Sequence, residues 1–151
     1  MTIDLPESHR DLLERPLFAH LATLRPDGSP QSSVMWFAWD GQMIRFSHTS
    51  TRQKYRNLLR DGRVSFHVQD PDNAYRTLEV RGKVVSMDPD PDATLYRFLQ
   101  QRYDLAVPVF DADVRIVIVV EPHNYVAVDG GLTQSETVAL TSLLNDLTAD
   151  E

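Results

Sequence analysis

The chain has no cysteine among its 151 residues, which excludes disulfides, thiolate nucleophiles and cysteine-ligated zinc or iron–sulfur centres together. It also lacks any run approaching the roughly 18 apolar residues of a membrane span. The opening MTIDLPESHRDLLERP contains no apolar core of signal-peptide type. The expected location is therefore cytoplasmic, without membrane contact. Positive charge is scarce: fifteen Lys and Arg against twenty-two Asp and Glu leave a net charge of −7 and a pI near 5.1. Binding along a phosphate backbone needs a cationic surplus, so nucleic acid is not an expected partner. With only six glycines, the chain carries no GxGxxG, Walker loop or GxSxG elbow, which removes the Rossmann and serine-hydrolase readings. The five histidines, His9, His20, His48, His67 and His123, form no HExxH or His-x3-His pair, so no metal site is expected.

What is present describes a folded protein. A 42% hydrophobic, 25% charged composition over this length is that of one compact domain, taken here as 1–151. Residues 6–15 read as a short helix, with Pro6 in its first turn and Pro16 as its stop. Alternating or β-branched runs then predict strands at LFAHLATL (17–24), SVMWFAWD (33–40), MIRFSH (43–48), RVSFHVQD (63–70), TLEVRGKVVSM (77–87) and VRIVIVVEP (114–122). The PDG at 26–28 and DG at 40–41 supply turn chemistry for a meander of the first three strands.

Three helices interrupt the strands. Residues 51–60 put Tyr55, Leu58 and Leu59 on one face, and 92–103 do the same with Leu95, Phe98 and Leu99, Asp92 serving as a cap. A last helix at 133–147 opens with a Thr133…Glu136 capping box and buries Leu140, Leu143, Leu144 and Leu147 at i, i+3, i+4, i+7 spacing. Strands outnumber helices, and their connections are mostly too short for βαβ crossovers. The fold class expected is mainly β: an antiparallel barrel or strongly bent sheet with peripheral helices. His20 and His67 alternate within strands and are expected as hydrogen-bonded barrel residues.

One segment contradicts the overall charge. Six of the fifteen basic residues, Arg45, Arg52, Lys54, Arg56, Arg60 and Arg63, fall between positions 45 and 63, against a single acid, Asp61. Just upstream, Ser47-His48-Thr49-Ser50-Thr51 leads from a strand into a helix start, where free N–H groups and the positive dipole end attract an anion such as phosphate. Helical neighbours are turned by about 100°, so Arg52 and Lys54 converge on one anion only if Arg52 lies before the helix. The plainer reading is a helix cap followed by a solvated cationic face. His48 sits inside the hydroxyl run; it is expected to face solvent, a role near the bound ligand being the alternative.

The series HLATLRPDGSPQSSVMWFAWDGQMIRFSHTSTRQKYRNLLRDGRVSFHV (20–68), followed by LEVRGKV (78–84), resembles the pyridoxamine 5′-phosphate oxidase-like split-barrel superfamily. Within it the likeness is greatest to the flavin/deazaflavin oxidoreductases that use coenzyme F420. The resemblance implies a split β-barrel of the FMN-binding, Greek-key type. It also implies coenzyme phosphate held by Ser47, Thr49, Arg52 and Lys54, and a tricyclic ring lying along the backbone of Ser33, Val34, Met35 and Trp36. For the side chains of Met35 and Trp36, ordinary barrel core is the competing reading. A homodimer is implied, with coenzyme sites between subunits, acting on a small-molecule substrate.

The activity expected from the resemblance is F420-dependent hydride transfer to a conjugated substrate, with no catalytic side chain assigned because the coenzyme carries the chemistry. The alternatives are an FMN-binding relative and a non-catalytic carrier or sensor of flavin, deazaflavin or haem. The stretch 116–151 has no arginine, whereas pyridoxamine phosphate oxidases proper grip substrate phosphate with a C-terminal arginine-rich segment, so vitamin B6 oxidation is not expected. Thirteen Arg against two Lys fit a GC-rich, actinobacterial genome, where the deazaflavin is common.

Overall fold

The computed structural model describes residues 3–131 and 134–149. A 3-10 turn (Glu7–His9) and a single helical turn α1 (Asp11–Glu14) precede β1 (Ala19–Leu24), β2 (Pro30–Met35), β3 (Ala38–Trp39) and β4 (Ile44–Thr49). Then come α2 (Gln53–Arg60), β5 (Arg63–Asp70), β6 (Asn73–Pro89), α3 (Thr94–Arg102), β7 (Arg115–Asp129) and α4 (Gln134–Thr148). The strands form one antiparallel sheet in the order β2-β1-β5-β6-β7-β4-β3. It is a mainly β split barrel. Among the described residues no helix is long and apolar enough to cross a membrane.

The inward residues of alternating strands build the core: Leu21, Phe66 and Val68 face Ile44, Phe46, Leu78, Val80, Ile118 and Val120, all fully buried. Phe37, Phe46 and Phe66 pack at its centre with ring centroids 5.6–6.5 Å apart, within the usual range for favourable aromatic pairs. The long strands β6 and β7 bend through register shifts at Arg81/Gly82 and Val84/Ser86. At the first of these a Cβ on Gly82 would stand 2.4 Å from the Glu121 carbonyl oxygen, so only glycine fits.

The structure differs from the sequence-based expectation in instructive places. The run 33–40 is not one strand: β2 pairs with β1, β3 pairs with β4, and the two lie at opposite edges of the sheet. The meander is therefore two hairpins joined by a break at Trp36-Phe37. There Tyr103 Oη accepts the Phe37 N–H (3.1 Å) and donates to the Leu17 carbonyl (2.5 Å). Both turn glycines adopt positive φ, Gly28 at 82° and Gly41 at 97°, as their turns require.

Residues 6–15 divide into the 3-10 turn and one helical turn, Pro6 standing at the cap of the former. On α3, Asp92 is not the cap. Asp90 accepts from the Thr94 and Leu95 amides (2.9 and 3.0 Å), and Phe98 is exposed beside buried Leu99. On α2 the buried stripe is Lys54, Asn57 and Leu58, with Leu59 in solvent. His20 and His67 are cross-strand neighbours on the outer, exposed face and not barrel interior. Thr133 lies outside the described residues. The leucines Leu140, Leu143, Leu144 and Leu147 of α4 are exposed, not buried, and the described residues of α4 add nothing to the core cluster. The i, i+3, i+4, i+7 pattern identifies a helix with one apolar stripe, and says nothing about whether the same chain supplies the surface to cover it.

Candidate functional site

The split in the barrel is where the chemistry collects. β2 is an edge strand, so half its backbone N–H and C=O groups have no strand partner. The inward side chains of β2 are Gln31, Ser33 and Met35, of which Gln31 and Met35 meet the buried stripe of α2. Asn57 is completely buried and satisfied: it donates to Thr23 Oγ1 (3.2 Å) and Gln31 Oε1 (2.9 Å) and accepts from Gln53 Nε2 (2.9 Å). That network locks α2 onto β1 and β2 and carries Lys54 inward one turn earlier.

All eight residues expected at a coenzyme site, Ser33, Val34, Met35, Trp36, Ser47, Thr49, Arg52 and Lys54, line one cavity of about 320 Å³. Phe18, His48, Tyr96, Leu99 and Arg115 complete its wall. Arg52 is the residue before the helix, in extended conformation (φ −98°, ψ 160°), which is the condition under which it and Lys54 can serve one anion. Arg52 is exposed, whereas Lys54 is only 4% exposed. Among the described residues neither forms an ion pair with an acid, and Lys54 Nζ donates to the Met35 thioether sulfur at 2.9 Å, a weak acceptor. Burial, reinforced by the Arg52 charge, pushes the Lys54 ammonium down to about 8.

His48 does not face solvent. It is 8% exposed, its Nε2 has no hydrogen-bond partner, and burial together with Lys54, Arg52 and Arg115 pushes it down to about 4. It is therefore neutral near pH 7. The Ser33 hydroxyl, at the same cavity, is likewise buried without a partner. Native interiors leave few such groups, and two at one cavity indicate a place for heteroatoms from outside the chain.

The other end of the cavity is aromatic. Trp36 stacks on Tyr103 (centroids 5.1 Å apart, 13° between planes) and on Tyr96 (6.0 Å, 20°), with Phe18 tilted against Tyr103 at 5.9 Å. Trp36 and Met35 thus line the cavity and are not sealed in the core, although Met35 also packs against it. Arg115 lies over the Tyr96 ring, 3.8 Å from its centroid, and pairs with Asp111. Sequence reasoning misses Arg115 and Tyr96. The available signal for Arg115 is a lone cation heading the apolar strand VRIVIVVEP; for Tyr96, inside an amphipathic helix, there is none.

A second cavity of about 370 Å³ opens between β1, β5 and β6, but its arginines are already neutralised, Arg63 by Asp61 and Arg81 by Glu79. Arg56 and Arg60 lie outside both cavities: Arg56 donates to the Thr51 carbonyl and to Gln53, and Arg60 to the Leu24 carbonyl. Neither pairs with Asp61, whose partner is Arg63. The first cavity is distinguished by cations, a hydroxyl and an imidazole that the fold leaves unmatched.

Comparison with known proteins agrees on the architecture. The family model for pyridoxamine 5′-phosphate oxidase matches residues 5–129. A solved F420 reductase is 52% identical, superposes with a TM-score of 0.79, and is covered over 98% of its length by 81% of this chain. A conserved hypothetical protein from Mycobacterium tuberculosis is 25% identical with a TM-score of 0.67, over 87% of this chain and 92% of its own. The General Stress Protein 26 from Bacillus anthracis shares the fold at 15% identity and a TM-score of 0.63, over 83% and 94%. No curated protein matches the chain. Since the family match runs through every strand of the sheet, from β1 to the end of β7, the chain belongs to the pyridoxamine 5′-phosphate oxidase family of split barrels.

Proposed function

We infer that the protein is an oxidoreductase that holds coenzyme F420 in the cavity between β2, α2 and α3 and transfers a hydride between it and a small conjugated substrate. The observation that carries this reading is the set of unmatched polar groups: unpaired Arg52 and Lys54, with the partnerless Ser33 Oγ and His48 Nε2, line one cavity. Such a set suits an anionic ligand rich in hydrogen-bonding atoms. The 52% identity to an F420 reductase supports the choice of coenzyme.

The chain's own groups have definable work in this reading. Arg52 and Lys54 bind the phosphate together with the hydroxyls of Ser47 and Thr49 and the amides at the start of α2. The free backbone edge of β2 at Ser33–Trp36 takes the polar rim of the ring, and the Trp36–Tyr96–Tyr103 stack limits where a planar group can lie and excludes water from it. When bound there, the deazaflavin would supply two-electron hydride chemistry.

The subunit arrangement is proposed to be a homodimer with the sites between protomers. In support, Phe18 and Val34 are exposed at the cavity, and Phe98 on α3, Val126 and Val128 on β7 and the apolar stripe of α4 are exposed as well, apolar side chains that an interface between protomers would cover. Sedimentation as a monomer at micromolar concentration refutes this arrangement.

Fluorescence titration of the purified protein with F420, and separately with FMN, tests the coenzyme. Tight F420 binding that Arg52→Ala weakens is expected. The same protein binding FMN tightly and F420 not at all overturns the assignment in favour of the flavin.

A further inference from the structure

Arg115 reaches the cavity from β7, where it stands opposite Thr49 in the ladder with β4. Its guanidinium is fixed on two sides. Nε and Nη2 donate to the two oxygens of Asp111 (2.9 and 3.0 Å), and Tyr96 covers it with the ring centroid 3.8 Å from Cζ. The side chain is only 13% exposed. Besides the second hydrogen of Nη2, what remains is Nη1, aimed at Ser47 Oγ from 3.4 Å, a separation longer than a good N–H···O bond and open to a better acceptor. Tyr96 in turn stacks on Trp36, so one tyrosine connects the aromatic platform to this donor.

We propose that Arg115 is a third, oriented arm of the anion site: beside Ser47 Oγ, its Nη1 donates to an oxygen of the phosphate held by Arg52 and Lys54, in a direction set by Asp111 and Tyr96. The assignment rests on reading this cavity as the coenzyme site. Because Asp111 cancels its net charge, Arg115 contributes direction more than field, whereas Arg52 and Lys54 contribute charge. This separation of roles makes the proposal testable by sign.

The experiment titrates F420 into wild type, Arg115→Ala, Arg115→Lys, Asp111→Asn and Lys54→Ala at one ionic strength, with inorganic phosphate as competitor and thermal unfolding of each unliganded variant alongside. Arg115→Ala is expected to weaken F420 by about tenfold or more, the effect of a hydrogen bond to a charged group. Arg115→Lys is not expected to restore it, since a lysine cannot hold a carboxylate bidentately and still donate sideways. Asp111→Asn adds one net positive charge, so a field effect alone predicts tighter binding of F420 and phosphate; an oriented donor predicts weaker binding of both.

Arg115→Ala affinity within about twofold of wild type overturns the proposal, as does tightening in Asp111→Asn. Should Arg115→Ala fail to fold, the sign of the Asp111→Asn effect decides. If Lys54→Ala leaves F420 and FMN binding unchanged, the reading of the cavity falls and Arg115 with it. If Lys54→Ala weakens binding and Arg115→Ala does not, only the role of Arg115 falls.

Discussion

Replacing Lys54 by methionine is expected to make the unliganded protein more stable and the coenzyme complex weaker. Lys54 is 4% exposed, its ammonium bonds a thioether, and burial with Arg52 nearby brings it from the ordinary 10.5 down to about 8. Every tenfold loss of proton affinity corresponds to about 1.4 kcal/mol, so holding the charge in the folded chain at pH 7 costs on the order of 3.5 kcal/mol. The sign follows from the direction: the unfolded chain keeps its proton up to the ordinary lysine range, whereas the folded chain releases it first. The cost is thus full below pH 8 and fades as pH rises from 8 toward 10.5.

Methionine has nearly the same length and places an apolar group against Met35. Removing the penalty should raise the apo melting temperature by roughly 7–14 °C for a domain of this size. Loss of a charge-assisted contact should weaken F420 by about 10- to 150-fold. Differential scanning calorimetry with and without F420 at pH 7 reads both effects at once, and the stabilisation by coenzyme should largely vanish in the variant. An apo variant less stable than wild type would refute the reasoning, since it would mean that Lys54 holds the fold together and is not strained by it.

Further expectations are measurable in the same way. Buried His48, pushed down to about 4, resists the proton that the unfolded chain accepts near pH 6.5, so stability is intact above 6.5 and lost as pH falls toward 4; His48→Asn should flatten that limb, and parallel urea midpoints for variant and wild type from pH 7 to 4.5 would contradict it. Gly82→Ala forces a Cβ to 2.4 Å from a backbone oxygen and should cost about 2–3 kcal/mol in urea unfolding; a loss below the error of the measurement would show that the bulge yields. Arg56→Ala with Arg60→Ala, two exposed cations outside the cavity, should weaken F420 through its polyglutamate tail and leave FMN unaffected, with a steeper salt dependence for F420; equal effects on both ligands would sever the link to the tail.

Much of the site was legible locally because its parts are neighbours in the chain. Ser47 and Thr49 share a strand face by the period of two, and Arg52 and Lys54 follow within one helix start, so hydroxyls and cations meet whatever the rest of the fold does. The turns at Gly28 and Gly41 were equally local, being demands of φ on single residues. Strand existence followed from alternation, and the family likeness rested on these same contiguous residues.

Tertiary structure decided what depends on distant partners. The run 33–40 has one continuous hydrophobic pattern, yet it divides because β1 takes its first half and β4 its last, with Tyr103 holding the break. Lys54 is buried on a polar helix face because Asn57, Thr23 and Gln31 satisfy one another there, and no amphipathicity rule ranks lysine above Leu59 for burial. Arg115 and Tyr96 reach the cavity only through the closure of β7 on β4 and the docking of α3. Periodicity states which residues of an element share a face; which surface that face meets is set by the pairing of the whole sheet, and the charge, orientation and exposure of the site's residues follow from that pairing.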